Sequence, residues 1–345
     1  MRVIKKGALL LVLFLIFILF IMNYRYPFVT YGSDGWSVGY TEVDDIFPRV
    51  KINSRNILTS IDLNKEHPNI ESKFIADPFF IYKKDTTFLF VENLRKGRKE
   101  GATIDLYIKT KNNQPIYKGA VLEENFHLSY PQVFKDKGSY YMLPDNKLKE
   151  LYLYKAIKFP YQWEICDTLI RGIQVKDATI LLDKKNTLLI TCDKAKRLLV
   201  YKSDSLRGKW KELNRYPKLR GNEVRPGGRI FKYKEELYIP MQNYSKGYGT
   251  GVSLYKIIIE DSNTIDLIKT NNLFLKEQKN ITVFNQGMHH LDIQKIKDKF
   301  IVYYDGDRAN NKSKFSWDRS RSLNKSDLTN LIYVRMLKKD FDKNE

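Results

Sequence analysis

One hairpin pattern recurs five times along this chain, and it limits the possible folds more than any other feature. A short apolar strand leads into a polar turn rich in Lys, Asp, Gly or Asn, and an aromatic-rich strand returns. The copies run Asp77–Glu92, Tyr130–Leu143, Asp177–Ile190, Gly228–Ile239 and Leu291–Val302. Apolar and β-branched runs on either side of a turn cluster read as hairpins. Equivalent positions fall at residues 78, 131, 178, 228 and 291, a period of about fifty residues that marks a repeat architecture. A second hairpin follows each of the first four copies. It is clearest in Leu151-Tyr-Leu-Tyr-Lys-Ala with Trp163, and in Leu198-Leu-Val-Tyr-Lys-Ser with Trp210.

Four strands per unit, repeated five times, predict an all-β chain folded as a five-bladed β-propeller over residues 36–308. Two stacked β-sandwiches are the alternative, but they do not require the same hairpin pair at near-constant spacing. A propeller must close its ring. The strand Trp36-Ser-Val-Gly-Tyr40 is expected to complete the last blade, with Leu331–Met336 as its C-terminal strand. Residues 309–345 read as a basic loop with that closing strand and a tail, and Ala309–Ser326 as a mobile loop. No helix is expected in the body.

Ahead of the repeats, Arg2, Lys5 and Lys6 precede an unbroken apolar run from Ala8 to Met22. The run is short against the roughly 20 residues of a membrane span, although Tyr24, Tyr26 and Phe28 could extend it at the interface. No small-x-small cleavage site follows it, which favours an uncleaved single transmembrane helix over a signal peptide. Residues 1–7 are then a cytoplasmic stub and 8–28 the membrane anchor. The basic flank keeps the N-terminus inside and places the propeller outside the cytoplasm.

The chain carries 60 basic and 40 acidic side chains among 345, a formal charge of +20. Such a balance suits a polyanion, but it is dispersed. No arginine-rich helix or aromatic-basic motif is present, and an exported body does not meet nucleic acid. Cys166 and Cys192 cannot form a disulfide framework or a zinc site, and their pairing stays open.

The innermost strand of each blade lines the central tunnel, so polar residues at the starts of these strands converge on one mouth. They are Asp77 in the first blade, His127 and Tyr130 in the second, Asp177 in the third, Glu223, Arg225 and Arg229 in the fourth, and His289, His290 and Asp292 in the fifth. Three of the four histidines fall in this set. Asp77, Asp177 and Glu223 form a carboxylate set suited to glycosidic chemistry, in which one carboxylate stays ionised and another donates a proton. Arg225 and Arg229 are fitted to clamp an acidic group. Glu92, Asp145 and Asp305 are expected to support the site. His and Asp are metal-ligand types, but their spacing here is not diagnostic, so no metal and no cofactor is assigned.

Ala76-Asp-Pro-Phe79, Phe88-Leu-Phe-Val-Glu92 and His127-Leu-Ser-Tyr-Pro131 resemble the N-terminal domain of plant glucosamine inositolphosphorylceramide transferases and its bacterial relatives. Trp36-Ser-Val-Gly39, Gly228-Arg229, His289-His290 and Asp305-Gly-Asp-Arg308 fit the same pattern. The resemblance spans residues 36–308. It does not reach the separate transferase domain of the plant proteins, so that name is not expected to carry its activity here. The domain is similar in turn to five-bladed furanosidase-like glycoside hydrolases. That similarity implies Asp77 as base or nucleophile, Asp177 as modulator and a fourth-blade acid, for which Glu223 is the candidate. Ala178 replaces a frequent proline, and the family's fourth-blade pattern centres on the arginines and glycines instead.

These readings converge on a membrane-anchored propeller acting on a glycan or glycolipid, of which an anionic one suits the basic balance. A non-catalytic carbohydrate-binding module that presents glycan to a partner enzyme is the alternative. A purely scaffolding propeller would instead have an apolar or plugged mouth.

Overall fold

In the computed structural model, residues 2–25, 29–111, 113–183, 187–245, 248–270 and 273–315 are described. Five antiparallel sheets follow one another around a ring. Blade 1 comprises Ser72–Lys83, Thr86–Arg95, Thr103–Thr110 and Ile116–Leu122. Blade 2 comprises Ser129–Asp136, Ser139–Asp145, Leu151–Lys158 and Gln162–Ile170. Blade 3 comprises Val175–Leu182, Thr187–Asp193, Leu198–Lys202 and Lys211–Glu212. Blade 4 comprises Phe231–Tyr233, Glu236–Asn243, Gly251–Asp261 and Thr264–Lys269, and Leu275–Lys276 also pairs with its third strand.

Blade 5 is assembled from both ends of the repeat array. Leu291–Ile296 and Lys299–Phe315 come from the last repeat, and Val29–Val43 and Ile57–Leu58 from the N-terminal side. Trp36 pairs with Asp307, Val38 with Asp305 and Gly39 with Tyr304. The Trp36–Tyr40 strand therefore closes the ring as expected. Leu331–Met336 lies outside the described residues. The expected loop starting at Ala309 begins instead as strand, because Lys299–Phe315 keeps pairing with Val29–Tyr31 after bulges at Ser33. A second correction is a helix in the body, Ser60–Glu66. Thr59 caps it by accepting from the Asp62 amide at 3.0 Å, and Leu63 is buried beneath it. Its seven residues are too few to show a helical period.

Alternation along each strand places apolar side chains on both faces of every blade. They meet in five clusters, one per junction between neighbouring blades. Phe79, Phe90, Val133 and Tyr154 fill the junction of blades 1 and 2, and Leu143, Leu153, Ile180 and Leu189 that of blades 2 and 3. Ile190, Val200, Ile239 and Tyr255 join blades 3 and 4. Leu254, Leu291, Val302 and Tyr304 join blades 4 and 5, and Val38, Tyr303, Phe80 and Leu89 close the circle. The turns of the first hairpins are tight. Lys84-Asp85 and Lys234-Glu235 hold positive φ at both residues, as does Lys137-Gly138. This mirror-image turn matches the right-handed twist of the strands it joins.

The N-terminal helix spans Arg2–Arg25. Its side chains from Leu9 to Phe17, and Leu19, are largely exposed. Among the described residues no helix is long and apolar enough to cross a membrane. Cys166 and Cys192 are free thiols, the second fully buried.

Candidate functional site

Three inner strands break step at the same place. Asp77, Tyr130 and Asp177 adopt φ of 51°, 50° and 49°. Each sits within a register shift of its hairpin, between Ala76 and Phe79, Ser129 and Gln132, and Lys176 and Thr179. A bulge leaves one residue unpaired and re-aims its side chain. The left-handed conformation is strained for residues with side chains, so something must hold it. A carboxylate caps each bulge amide. Asp305 Oδ2 accepts from Asp77 N at 3.0 Å, Asp77 Oδ2 from Tyr130 N at 3.1 Å, and Asp145 Oδ2 from Asp177 N at 3.4 Å. The caps run from blade 5 to blade 1, blade 1 to blade 2 and blade 2 to blade 3.

Asp77 and Asp305 enclose His289. Its Nε2 lies 3.2 Å from Asp77 Oδ1 and its Nδ1 2.9 Å from Asp305 Oδ1, with all three side chains buried. Neither contact has the line of a good hydrogen bond, so Asp77 Oδ1 is a buried acceptor without an aligned donor. Burial alone would lower His289, but the two carboxylates overrule it and raise the imidazole to about 10. Burial alone would raise Asp77. The facing His289, with the charges of His290 and Arg225, instead holds it well below the usual carboxylate range. Asp77, His289 and Asp305 offer ligand atoms within 4.8 Å of one another. As arranged, the imidazolium itself occupies the place of a cation, and an ion could enter only after His289 lost its proton.

Asp177 meets Arg225 in a fork, with Nε to Oδ2 at 2.5 Å and Nη2 to Oδ1 at 2.9 Å. Gln242 Nε2 adds a third bond at 2.5 Å. Burial pushes Asp177 up to about 7 against the pull of Arg225. Three donors and no acceptor around it are the surroundings of an ionised carboxylate, which is the state this geometry holds. His127 stands at the edge. Its Nδ1 accepts from Ala102 N at 3.2 Å, so the proton is on Nε2, which faces Glu92 Oε1 at 3.6 Å. Burial, with Lys147, lowers it to about 4 and keeps it neutral.

Other predicted site residues bind the blades to one another. Arg229 and Asp292 form a fork of their own at 2.8 and 3.1 Å, and Asp292 also accepts from Phe80 N at 3.0 Å. Tyr130 is fully buried. Its hydroxyl accepts from Gly228 N at 2.9 Å, lies 3.0 Å from Gly228 O and 2.5 Å from Thr179 Oγ1. His290 Nε2 lies 3.1 Å from Pro78 O. Glu223 is held by partners of its own blade. Asn243, Ser253, Tyr255 and Lys269 all donate to it within blade 4, Lys269 at 2.7 and 2.8 Å.

A scan of family models matches residues 54–307 to glucosamine inositolphosphorylceramide transferase 1, N-terminal. This chain belongs to that family. It is similar to glucosamine inositolphosphorylceramide transferase 1 of Oryza sativa subsp. japonica, 33% identical over 69% of this chain and 34% of the relative. The Arabidopsis thaliana protein of the same name is 28% identical over 81% and 40%. The chain thus spans little more than a third of the length of the curated relatives it matches. Among solved structures, a thermostable family-43 glycoside hydrolase superposes with a TM-score of 0.50 at 12% identity, covering 72% of this chain and 96% of that one. This likeness concerns the fold.

Within the family frame, the structure adds residues that the sequence did not assign to the site. Gln242 touches Asp177 directly, and its Oε1 accepts from the Tyr244 hydroxyl at 2.8 Å. Trp36 lies against His289, ring centroids 4.0 Å apart, and Tyr248 covers the same imidazole at 5.1 Å. Gln242 could have been found by position. It lies near the end of the second strand of its blade, as do Glu92 and Asp145. Tyr248 carries no such signal, because it lies in a connecting loop among 23 tyrosines.

Proposed function

We propose that the propeller mouth recognises a glycan or glycolipid headgroup and acts on one of its glycosidic bonds, with Asp77 as the carboxylate facing the reacting sugar carbon. One observation carries this reading: Asp77 Oδ1 is buried and charged without an aligned donor, while Oδ2 is fixed by Tyr130 N. A preorganised anion of this kind stabilises the positive charge that develops on a sugar as its glycosidic bond breaks. The names of the relatives, which speak of inositolphosphorylceramide, support a glycolipid. The basic balance of the chain suits an anionic one.

The N-terminal helix is proposed to tether the protein to a membrane, with the propeller on the extracytoplasmic side. Its exposed apolar side chains and its basic flank support this. Protease protection of tagged termini in sealed vesicles tests it, and equal cleavage of both termini sinks it.

The second reading is a binding module that presents glycan to a partner enzyme. It is favoured by Glu223, whose carboxylate is fully engaged by donors within blade 4. A glycan array probed with wild type and Asp77→Asn, followed by product analysis on each hit, separates the two. Turnover lost in Asp77→Asn supports catalysis, and wild-type binding without product supports the module.

A further inference from the structure

The second strands of blades 1, 2 and 5 carry a carboxylate in the same register. Glu92 pairs with Ala76 and Asp145 with Ser129, while Asp305 N donates to His290 O at 3.2 Å. The partner directly precedes the bulge residue in blades 1 and 2, and the first strand in blade 5. Asp305 and Asp145 use their side chains to cap the bulge amide of the following blade. Glu92 would by symmetry cap Tyr130 N. It does not, because Asp77 Oδ2 already holds that amide at 3.1 Å. The equivalent carboxylate of blade 1 is therefore released from the structural duty that its two counterparts perform.

Nothing else engages Glu92. Its side chain is only 9% exposed, and no hydrogen bond reaches it among the described residues. The contact it makes is with His127 Nε2 at 3.6 Å, too long for a hydrogen bond. That imidazole is neutral, since its Nδ1 accepts from Ala102 N. A carboxyl group so buried and unpaired keeps its proton. Burial, then the charge of Asp77, raises Glu92 well above its usual range. Asp177 adds to this, and Lys147 and His289 oppose it. Asp77 is pushed the opposite way by His289. Two carboxyls of one site driven apart in this manner divide into an anion and an acid.

Resting on the catalytic reading above, we infer that Glu92, not Glu223, is the proton donor of this site, acting on the glycosidic oxygen of a bound glycoside. As the bond from the anomeric carbon to that oxygen breaks, its electron pair stays on the oxygen, which takes the proton of Glu92. The Asp77 carboxylate faces the electron-poor anomeric carbon. Water, or an acceptor hydroxyl, then bonds that carbon and returns its proton to Glu92, restoring the starting state.

The test uses the full chain in detergent, with matched pairs of 4-nitrophenyl glycosides and alkyl glycosides across the common pyranoses and furanoses. 4-Nitrophenolate leaves without protonation and an alkoxide does not. Glu92→Gln is expected to keep 4-nitrophenyl turnover within about tenfold of wild type and to lose on the order of 10²- to 10⁴-fold on the alkyl glycoside. Equal losses on both, or none on either, overturn the inference while the catalytic reading survives. Wild type inert on the whole panel overturns the reading and the inference with it. Carbon-13 NMR of carboxyl-labelled glutamate provides the independent measurement. A signal that is neutral at pH 7 and absent from Glu92→Gln is expected, and a Glu92 that titrates as an ordinary exposed glutamate overturns the inference alone.

Discussion

His289 and Asp77 face each other at 3.2 Å, both buried, the one held cationic and the other anionic. Asp305 flanks the imidazole on its other side at 2.9 Å. Asp305, then Asp77, raises the imidazole, and the share from Asp77 is the same interaction that depresses the Asp77 carboxyl, so that share counts once. A histidine whose folded value exceeds its unfolded value stabilises fully below the unfolded value, and loses that stabilisation as pH rises through the folded one. With His289 raised to about 10, the loss falls between about pH 6.5 and pH 10. Urea midpoints across this range should drop in wild type by more than in His289→Gln, the difference amounting to a few kcal/mol. Parallel profiles for the two proteins would remove the ion pair from the account.

Arg225 is the cation on which buried Asp177 depends. Arg225→Ala should destabilise by about 3–5 kcal/mol, because an uncompensated charge is left inside. Asp177→Ala with Arg225→Ala should cost less than the sum of the single changes. The raised Asp177 carboxyl then opposes folding at high pH and ceases to do so once protonated. The deficit of Arg225→Ala should therefore shrink between pH 7 and pH 5 in denaturant titrations.

Gly228 marks a position that admits no side chain. Its φ is 151°, and a Cβ there would lie 1.7 Å from Leu291 O, at the junction of blades 4 and 5. Gly228→Ala should leave little soluble protein on expression. Tyr130→Phe removes the hydroxyl that Gly228 and Thr179 share. It should keep the fold and lower stability by about 1–3 kcal/mol, read as a shift in thermal midpoint.

Glu223→Gln should act on stability and leave the chemistry of the mouth in place. It loses the Lys269 pair and weakens bonds from Ser253 and Tyr255, at a cost of about 1–3 kcal/mol. Turnover per folded molecule on any substrate that Asp77→Asn abolishes should stay within a few-fold of wild type. A loss comparable to that of Asp77→Asn would return Glu223 to the reaction.

The sequence by itself determined the architecture. Strand periodicity and turn chemistry are local, and a hairpin that recurs at constant spacing can bury both of its faces only against further copies of itself. The closing role of Trp36–Tyr40 was legible for the same reason, since the last repeat lacked strands that only the N-terminal side could supply. That Asp77 and His289 meet across blades 1 and 5 was also expected, because the starts of the inner strands converge on the axis. What those side chains do there was decided by the tertiary structure. Protonation and partnership depend on which groups face each other across blades, over sequence separations as long as that between Asp77 and Asp305. Whether Arg229 met a ligand or Asp292, whether Glu223 pointed at the axis or at Lys269, and whether Glu92 capped an amide or stood free were set by angles between strands. A linear pattern does not record those angles. The helix at Ser60–Glu66 escaped for a simpler reason, that one cap and two turns leave no period to read.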